Sequence, residues 1–215
     1  AWFLMGIVAR ALNPGYKFDY SLILEGEQGK RKSTILAALV GDEWFSDVEL
    51  DLSNKDSMMA IQGKLLIEIA EMGAMARSDE KRQKAFLSRR FDEFRIPFAT
   101  SFVKLPRRMV FSGTTNEWEW NKDPTGGRRF WPVTVGDLDV EGLIAAREQL
   151  FAEALAYYDA GTRYWPTWDE QKKLFDPEQL KREQQESLVD ALHDWVYSQY
   201  AEFSIATAAM EGLAL

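Results

Sequence analysis

The sequence predicts an α/β domain built on a mainly parallel sheet with helices over both faces. Three observations lead there. Apolar runs of strand length alternate with segments of helical spacing. Tyr20-Ser21-Leu22-Ile23-Leu24-Glu25 passes through a glycine-containing loop straight into a helix. The chain has 215 residues and 46% hydrophobic content, enough to bury one core with room for a small appendage.

The elements follow in order. Residues 2–9 are apolar and run into a periodic Arg10-Ala11-Leu12, which predicts a buried helix; Asn13-Pro14-Gly15 then turns the chain. Residues 20–25 are the first strand, and 33–40 a helix with Ile35, Leu36 and Leu39 on one face, closed by Gly41. Residues 44–50 suit a second strand, 54–62 a short helix capped by Ser53, and 64–70 a third strand. Residues 79–90 have helical spacing, and the aromatic-rich stretch 91–102 with Pro97 suits a projecting hairpin or loop. Residues 108–114 and 129–135 are the fourth and fifth strands, Pro132 favouring an edge position for the fifth. Helices are expected over 140–158 and 177–200, on either side of a break at 161–166. This organisation divides into a core over 1–160 and a helical extension over 161–215. The chain opens on alanine and ends inside the apolar stretch 210–215, which suggests a piece cut from a longer protein.

Composition narrows the function. With no cysteine and one histidine, His193, a disulfide framework, a cysteine zinc site and a histidine-rich metal site are all excluded, and the expected setting is a reducing cytoplasm. The apolar N-terminal run is too short to span a membrane. The net charge of −8 is unevenly spread: residues 77–108 carry ten Lys/Arg against four Asp/Glu, and residues 137–215 six against sixteen. Because screening limits the reach of distant charges to roughly 8 Å at physiological salt, the basic zone suits a phosphate backbone as well as a solvated helix face.

The loop at 26–34 carries the chemistry. Phosphates need converging N–H donors, a positive charge and a metal ligand, and a loop feeding a helix N-terminus supplies all three. Gly26, Lys32 and Ser33 fit the phosphate-loop pattern G-x-x-x-x-G-K-[ST], with Gln28, Gly29, Lys30, Arg31 and Thr34 completing the expected nucleotide-binding set. Lys32 is placed to reach the outer phosphates and Ser33 to ligate Mg²⁺. The sixth position, however, is Arg31, where a Cβ penalises the backbone conformation a glycine permits. Either Arg31 weakens nucleotide binding, or Gly29 supplies the flexibility and the guanidinium adds attraction for phosphate.

Hydrolysis needs carboxylates near the metal and the attacking water. Glu68, a charge within the apolar run Leu65-Leu66-Ile67, is an expensive placement unless a cation compensates. It is assigned to the metal and Glu71 to the water, with the roles exchangeable. Asn116, at the end of Ser112-Gly113-Thr114-Thr115-Asn116, is a candidate to hold water or the outer phosphate. Arg128 and Arg129, on a glycine turn, are candidate arginine fingers that complete a neighbour's site. Trp118, Trp120 and Trp131 read as core or interface residues.

Taken together, these motifs resemble the virulence-associated protein E family, helicase-like ATPases of phages, prophages and mobile islands related to superfamily 3 helicases and the AAA+ group. The resemblance rests on Lys17-Phe18-Asp19-Tyr20, the loop 25–34, Glu68-Ile69-Ala70-Glu71, Phe86-Leu87-Ser88-Arg89-Arg90 with Asp92, Arg95 and Pro97, Gly113-Thr114-Thr115-Asn116, and 125–133. It covers about residues 15–135. Arg31 and Gly127 depart from it, where the family more often has glycine and asparagine. It implies a P-loop core of five strands ordered 5-1-4-3-2, ATP and Mg²⁺ as ligands, a homo-oligomeric ring (a hexamer in the family) and movement along single- or double-stranded DNA. In that setting Lys81, Arg82, Lys84, Arg89, Arg90, Arg95, Lys104, Arg107 and Arg108 become candidates for a DNA channel. Two other readings stay open: an assembly or binding module whose hydrolysis Arg31 impairs, and a P-loop kinase.

Overall fold

A computed structural model describes residues 1–48, 55–70, 82, 84–96, 101–121, 127–183, 192 and 195–197. Glu71, Lys81, His193 and residues 49–50 of the predicted second strand lie outside the described residues. The chain forms two compact units, Ala1–Glu183 and Gln184–Leu215, so the first continues beyond residue 160. In the second, residues 195–197 are helical.

The apolar N-terminal run forms helix α1, Trp2–Leu12, which buries Phe3, Met5, Ile7, Val8 and Ala9. Gly6 lets it approach the core closely, since a Cβ there would meet the Phe18 ring at 2.3 Å. Five strands then build one sheet: β1 (Ser21–Glu25), β2 (Phe45–Ser46), β3 (Leu66–Ile69), β6 (Val110–Thr115) and β7 (Phe130–Thr134). Their order is β2-β3-β6-β1-β7, and every adjacent pair is parallel. Counted along this sheet alone, that is 5-1-4-3-2. β7 is an edge strand, which accommodates Pro132 because its ladder needs no N–H on the outer side.

Successive residues of each central strand point to opposite faces, and both faces are covered. Leu24, Leu66, Val110 and Trp131 pack with α1, α2 (Lys32–Val40) and α4 (Val140–Asp159). Ile23, Ile67, Phe111 and Phe130 pack on the other side with Met58 of α3 (Lys55–Ala60) and with Phe86 and Leu87. Each such side chain contributes about 1.5–3 kcal/mol when fully buried.

Two segments differ from expectation, while the stretch from residue 91 takes the hairpin alternative: β4 (Phe91–Arg95) and β5 (Phe102–Pro106) form an antiparallel ribbon that extends past residue 102. Its inward residues are Phe94 and a charged one, Asp92, which hides the alternation. The expected helix over 177–200 is interrupted. After α5 (Trp168–Glu170) comes a π-helical turn, Gln171–Phe175, then α6 (Asp176–Leu180), and the chain turns at Lys181-Arg182. The buried side chains of Gln179 and Arg182 account for the turn: Gln179 bonds the Phe130 carbonyl, and Arg182 enters the core. Finally, Arg107 does not belong to the basic surface. It is buried and pairs with Asp92 at 2.6 Å, its guanidinium lying 4.2 Å from the centre of the Phe86 ring. Burial lowers its pKa. Arg107→Ala, which strands the Asp92 carboxylate, is expected to cost about 3–5 kcal/mol in chemical denaturation.

Candidate functional site

β1 ends at Glu25, and residues 26–31 lead into α2 at the carboxyl edge of the parallel sheet. That edge is where open α/β sheets bind ligands. Arg31 takes φ 61° and ψ 29°, and among the described residues it alone has a positive φ without being glycine. The left-handed conformation costs a residue with a Cβ about 1–2 kcal/mol. This is the conformation glycine would allow at the motif's sixth position, so Arg31 keeps the backbone shape at the expense of strain.

The three basic side chains of the loop face different ways. Arg31 pairs with Glu141, on the first turn of α4, at 3.0 Å, and Lys30 with Asp137, just before that helix, at 2.8 Å; both acids are exposed. These hydrogen bonds raise the pKa of both cations and lower those of their carboxylates. Lys32 turns inward. Its Nζ donates to the carbonyls of Gly26 (2.7 Å) and Glu27 (2.8 Å) and to Oδ1 of Asn116 (2.8 Å). Burial pulls its pKa down.

Ser33, on the first turn of α2, donates its hydroxyl to Glu68 Oε1 at 2.8 Å; Thr114, on β6, donates to the same oxygen at 2.6 Å. Glu68 is 2% exposed, and its Oε2 is buried with no hydrogen bond. An unpaired buried carboxylate oxygen is costly, and a cation would offset that cost. The donors suit Mg²⁺, which uses one or two protein oxygens and fills its remaining positions from phosphate and water. Among the described residues no group of three or more acids or histidines forms a dedicated cation cage. Gln28 to Thr34 line a cleft of about 280 Å³ together with Ala70, Thr114, Thr115 and Asn116. The fold therefore brings Gly26, Gln28, Gly29, Lys30, Arg31, Lys32, Ser33, Thr34, Glu68 and Asn116 to one place; Glu71 lies outside the described residues.

Arg128 and Arg129 are elsewhere. They sit on a 3-10 turn, Gly127–Arg129, that enters the amino end of β7, where Phe130 pairs with Ser21. The phosphate-loop end of β1 pairs with Thr134, so a whole strand, about 16 Å at ~3.3 Å per residue, separates the two arginines from the loop. They line a second cleft of about 540 Å³ with Lys17, Asp19, Arg90, Trp165 and Trp168. Arg129 is held there by Asp19 at 3.6 Å and Ser88 at 3.3 Å and is 17% exposed, whereas Arg128 is exposed.

Two residues in these surroundings lie outside the expected site set. Thr114 belongs to a donor-rich strand end that the sequence marks only as a group. Glu25 closes the apolar run Leu22-Ile23-Leu24 as Glu68 closes Leu65-Leu66-Ile67, so one signal, a charge at the end of a buried strand, marks both.

Among solved structures, the chain is similar to the A form apo structure of the NrS-1 C terminal region, at 18% identity and a TM-score of 0.50, over 83% of this chain and 46% of that one. The A form apo structure of the same region described as residues 305–718 is 16% identical with a TM-score of 0.42, over 85% of this chain and 39% of that one. The chain thus spans less than half the length of these relatives, and at such identity the likeness concerns fold alone. No curated protein matches it. The model of the Virulence-associated protein E-like domain matches residues 1–186, in agreement with the motifs that suggested it, and the chain belongs to that family.

Proposed function

We propose that this chain is a Mg²⁺-dependent P-loop nucleoside triphosphatase, the ATP-hydrolysing core of a helicase-type motor that acts on DNA in phage, prophage or mobile-element replication. One observation carries the reading: Lys32 and Ser33 of the first turn of α2, Asn116 just after β6, and Glu68 of β3, which bonds Ser33, come together at one cleft at the carboxyl edge of a parallel sheet. In this reading the loop N–H groups cradle the triphosphate. Lys32 leaves the carbonyls of Gly26 and Glu27 to neutralise the outer phosphates, while Asn116, already its partner, orients the water or the γ-phosphate. Ser33 and Glu68 hold Mg²⁺, which when bound neutralises phosphate charge. Glu71 orients or deprotonates the water.

The separation along β1 and β7 supports an arginine finger that acts in trans, because neither Arg128 nor Arg129 lies at its own chain's loop. Of the two, Arg128 is the better finger, and Arg129, tethered to Asp19 and Ser88, braces the turn. The active site is then complete only in a homo-oligomer, a ring by family resemblance. The ribbon offers a DNA contact: Phe91, Phe102 and Leu105 are exposed on it, and Lys104 lies 5.1 Å from the centre of the Phe91 ring. Exposed rings interleaved with cations suit stacking on a single strand with phosphate pairing. ATP hydrolysis measured with and without single-stranded DNA, alongside solution mass, tests the reading; a monomer that hydrolyses no ATP under either condition would sink it.

The second reading, a binding module with impaired turnover, draws on the strained backbone at Arg31. Arg31→Gly removes a strain of about 1–2 kcal/mol and adds about 0.5–1 kcal/mol of unfolded-state entropy. Thermal stability is therefore expected to rise by no more than about 1.5 kcal/mol, reduced by the small contribution of the exposed Arg31–Glu141 pair. If ATP affinity or turnover rises tenfold or more in Arg31→Gly, the natural loop is impaired and the second reading gains; unchanged values favour the motor.

A further inference from the structure

The most heavily bonded buried carboxylate near the cleft is that of Glu25, 1% exposed, and it has no part in the chemistry above. Both of its oxygens are filled, by donors from three separate parts of the chain. Arg182, beyond α6, donates from Nε at 2.8 Å to Oε1 and from Nη2 at 2.8 Å to Oε2. Trp120 donates its indole N–H to Oε1 at 2.7 Å, and Thr134, at the end of β7, its hydroxyl to Oε2 at 3.2 Å. The guanidinium is 3% exposed and lies 4.3 Å from the centre of the Trp118 ring, and its bonds to Glu25 raise the Arg182 pKa. Backbone bonds continue the link: Arg182 O accepts from the Asn121 N–H at 2.9 Å, and Glu25 O accepts from the Val135 N–H at 2.8 Å.

The position of this carboxylate gives it leverage on the cleft. Glu25 directly precedes Gly26, whose carbonyl holds Lys32. Trp120 follows Asn116, the other polar partner of Lys32, by four residues. One buried group therefore ties together the two stretches of backbone that must keep their spacing if Lys32 and Asn116 are to meet the same phosphate. Stability alone does not call for an ion pair here, since well-packed neutral side chains often serve a core as well or better. A fork-shaped guanidinium on a carboxylate instead fixes distance and orientation together.

We propose that Arg182, acting through Glu25, is a positioning residue of the nucleotide cleft. It holds the base of the loop in register with the segment that carries Asn116, so residues 176–183 belong functionally to the cleft. The functional consequence rests on the triphosphatase reading; the structural one, order in the loop, does not.

The test compares wild type with Arg182→Lys, Arg182→Met and the paired neutral variant Glu25→Gln/Arg182→Met, using thermal stability, amide hydrogen exchange without ligand, and direct ATP titration. Arg182→Met alone strands a buried carboxylate and is expected to lose stability; the paired variant removes that charge and regains it. In the paired variant, the bonded amides of Gly26 at the base of the loop and of Glu117 and Asn121 in the facing segment are expected to exchange at least tenfold faster than in wild type, while those of β3 keep the wild-type rate. ATP affinity falls at least tenfold, and Arg182→Lys, which keeps the charge and loses the fork, lies between. Wild-type exchange in both segments of a stable paired variant overturns the proposal, as does a paired variant whose faster exchange extends equally to β3. Should the paired variant fail to regain stability, Arg182→Lys decides in its place by the same comparison of loop with β3. If wild type itself binds no ATP while the loop-specific exchange is seen, the triphosphatase reading falls and the positioning stands.

Discussion

Arg128→Ala is expected to lower ATP hydrolysis by about 10³–10⁵-fold, the range by which an arginine finger accelerates phosphoryl transfer, while leaving the fold and ATP binding intact. Its side chain is exposed on a turn at the amino edge of the sheet, away from its own Gly26–Arg31 loop, so its removal opens no cavity and leaves no buried carboxylate unpaired. The charge it neutralises, in the proposed mechanism, develops on a neighbouring subunit's γ-phosphate. Mixing separates this from an effect within one chain. An oligomer of Arg128→Ala and Lys32→Ala subunits contains junctions where an intact Lys32 faces an intact Arg128, so part of the activity should return although each variant alone is inactive. No recovery in mixed oligomers of confirmed composition would place the arginine outside the neighbour's site. Arg129→Ala should behave differently: it leaves Asp19 without its 3.6 Å partner and is expected to lower stability as well as rate.

Lys32→Ala is expected to reduce hydrolysis by at least about 10²–10³-fold, the typical loss when one preorganised electrostatic donor is removed, with weaker ATP binding as well. Of the three residues whose oxygens Lys32 satisfies, Glu27 and Asn116 are exposed and Gly26 is half-buried, so the variant should remain folded. Glu71→Gln should differ in kind, losing turnover while ATP binding persists, because a water-orienting carboxylate acts on the chemical step. Wild-type turnover in both variants would remove the proposed mechanism.

How much of this was legible in advance varies with the reach of the interaction concerned. The parallel sheet and the grouping of Lys32, Ser33 and Glu68 were readable because each rests on a local pattern: apolar runs, a strand–loop–helix transition, a charge where burial is expensive; the strand order followed only from the family resemblance. The left-handed backbone at Arg31 was legible as a conflict, since the motif asks for glycine there. Arg107 counts among the candidates for a DNA channel in the sequence because composition registers a cation without showing that Asp92, fifteen residues away, neutralises it in the core. For the same reason the sequence left hairpin and loop both open over 91–102: a buried Asp92 breaks the apolar alternation that marks a strand.

By itself, then, the sequence determined the fold class, the family and the loop that faces the candidate substrate, all of which depend on neighbours along the chain. Only the tertiary structure decided which charges face the cleft and which are spent elsewhere. It paired Arg31 with Glu141, put Arg128 and Arg129 at the opposite edge of the sheet, and drew Arg182 back 157 positions to Glu25. The physical reason is that a charged side chain is placed by the partner that lowers its desolvation cost, and that partner is chosen by packing in three dimensions.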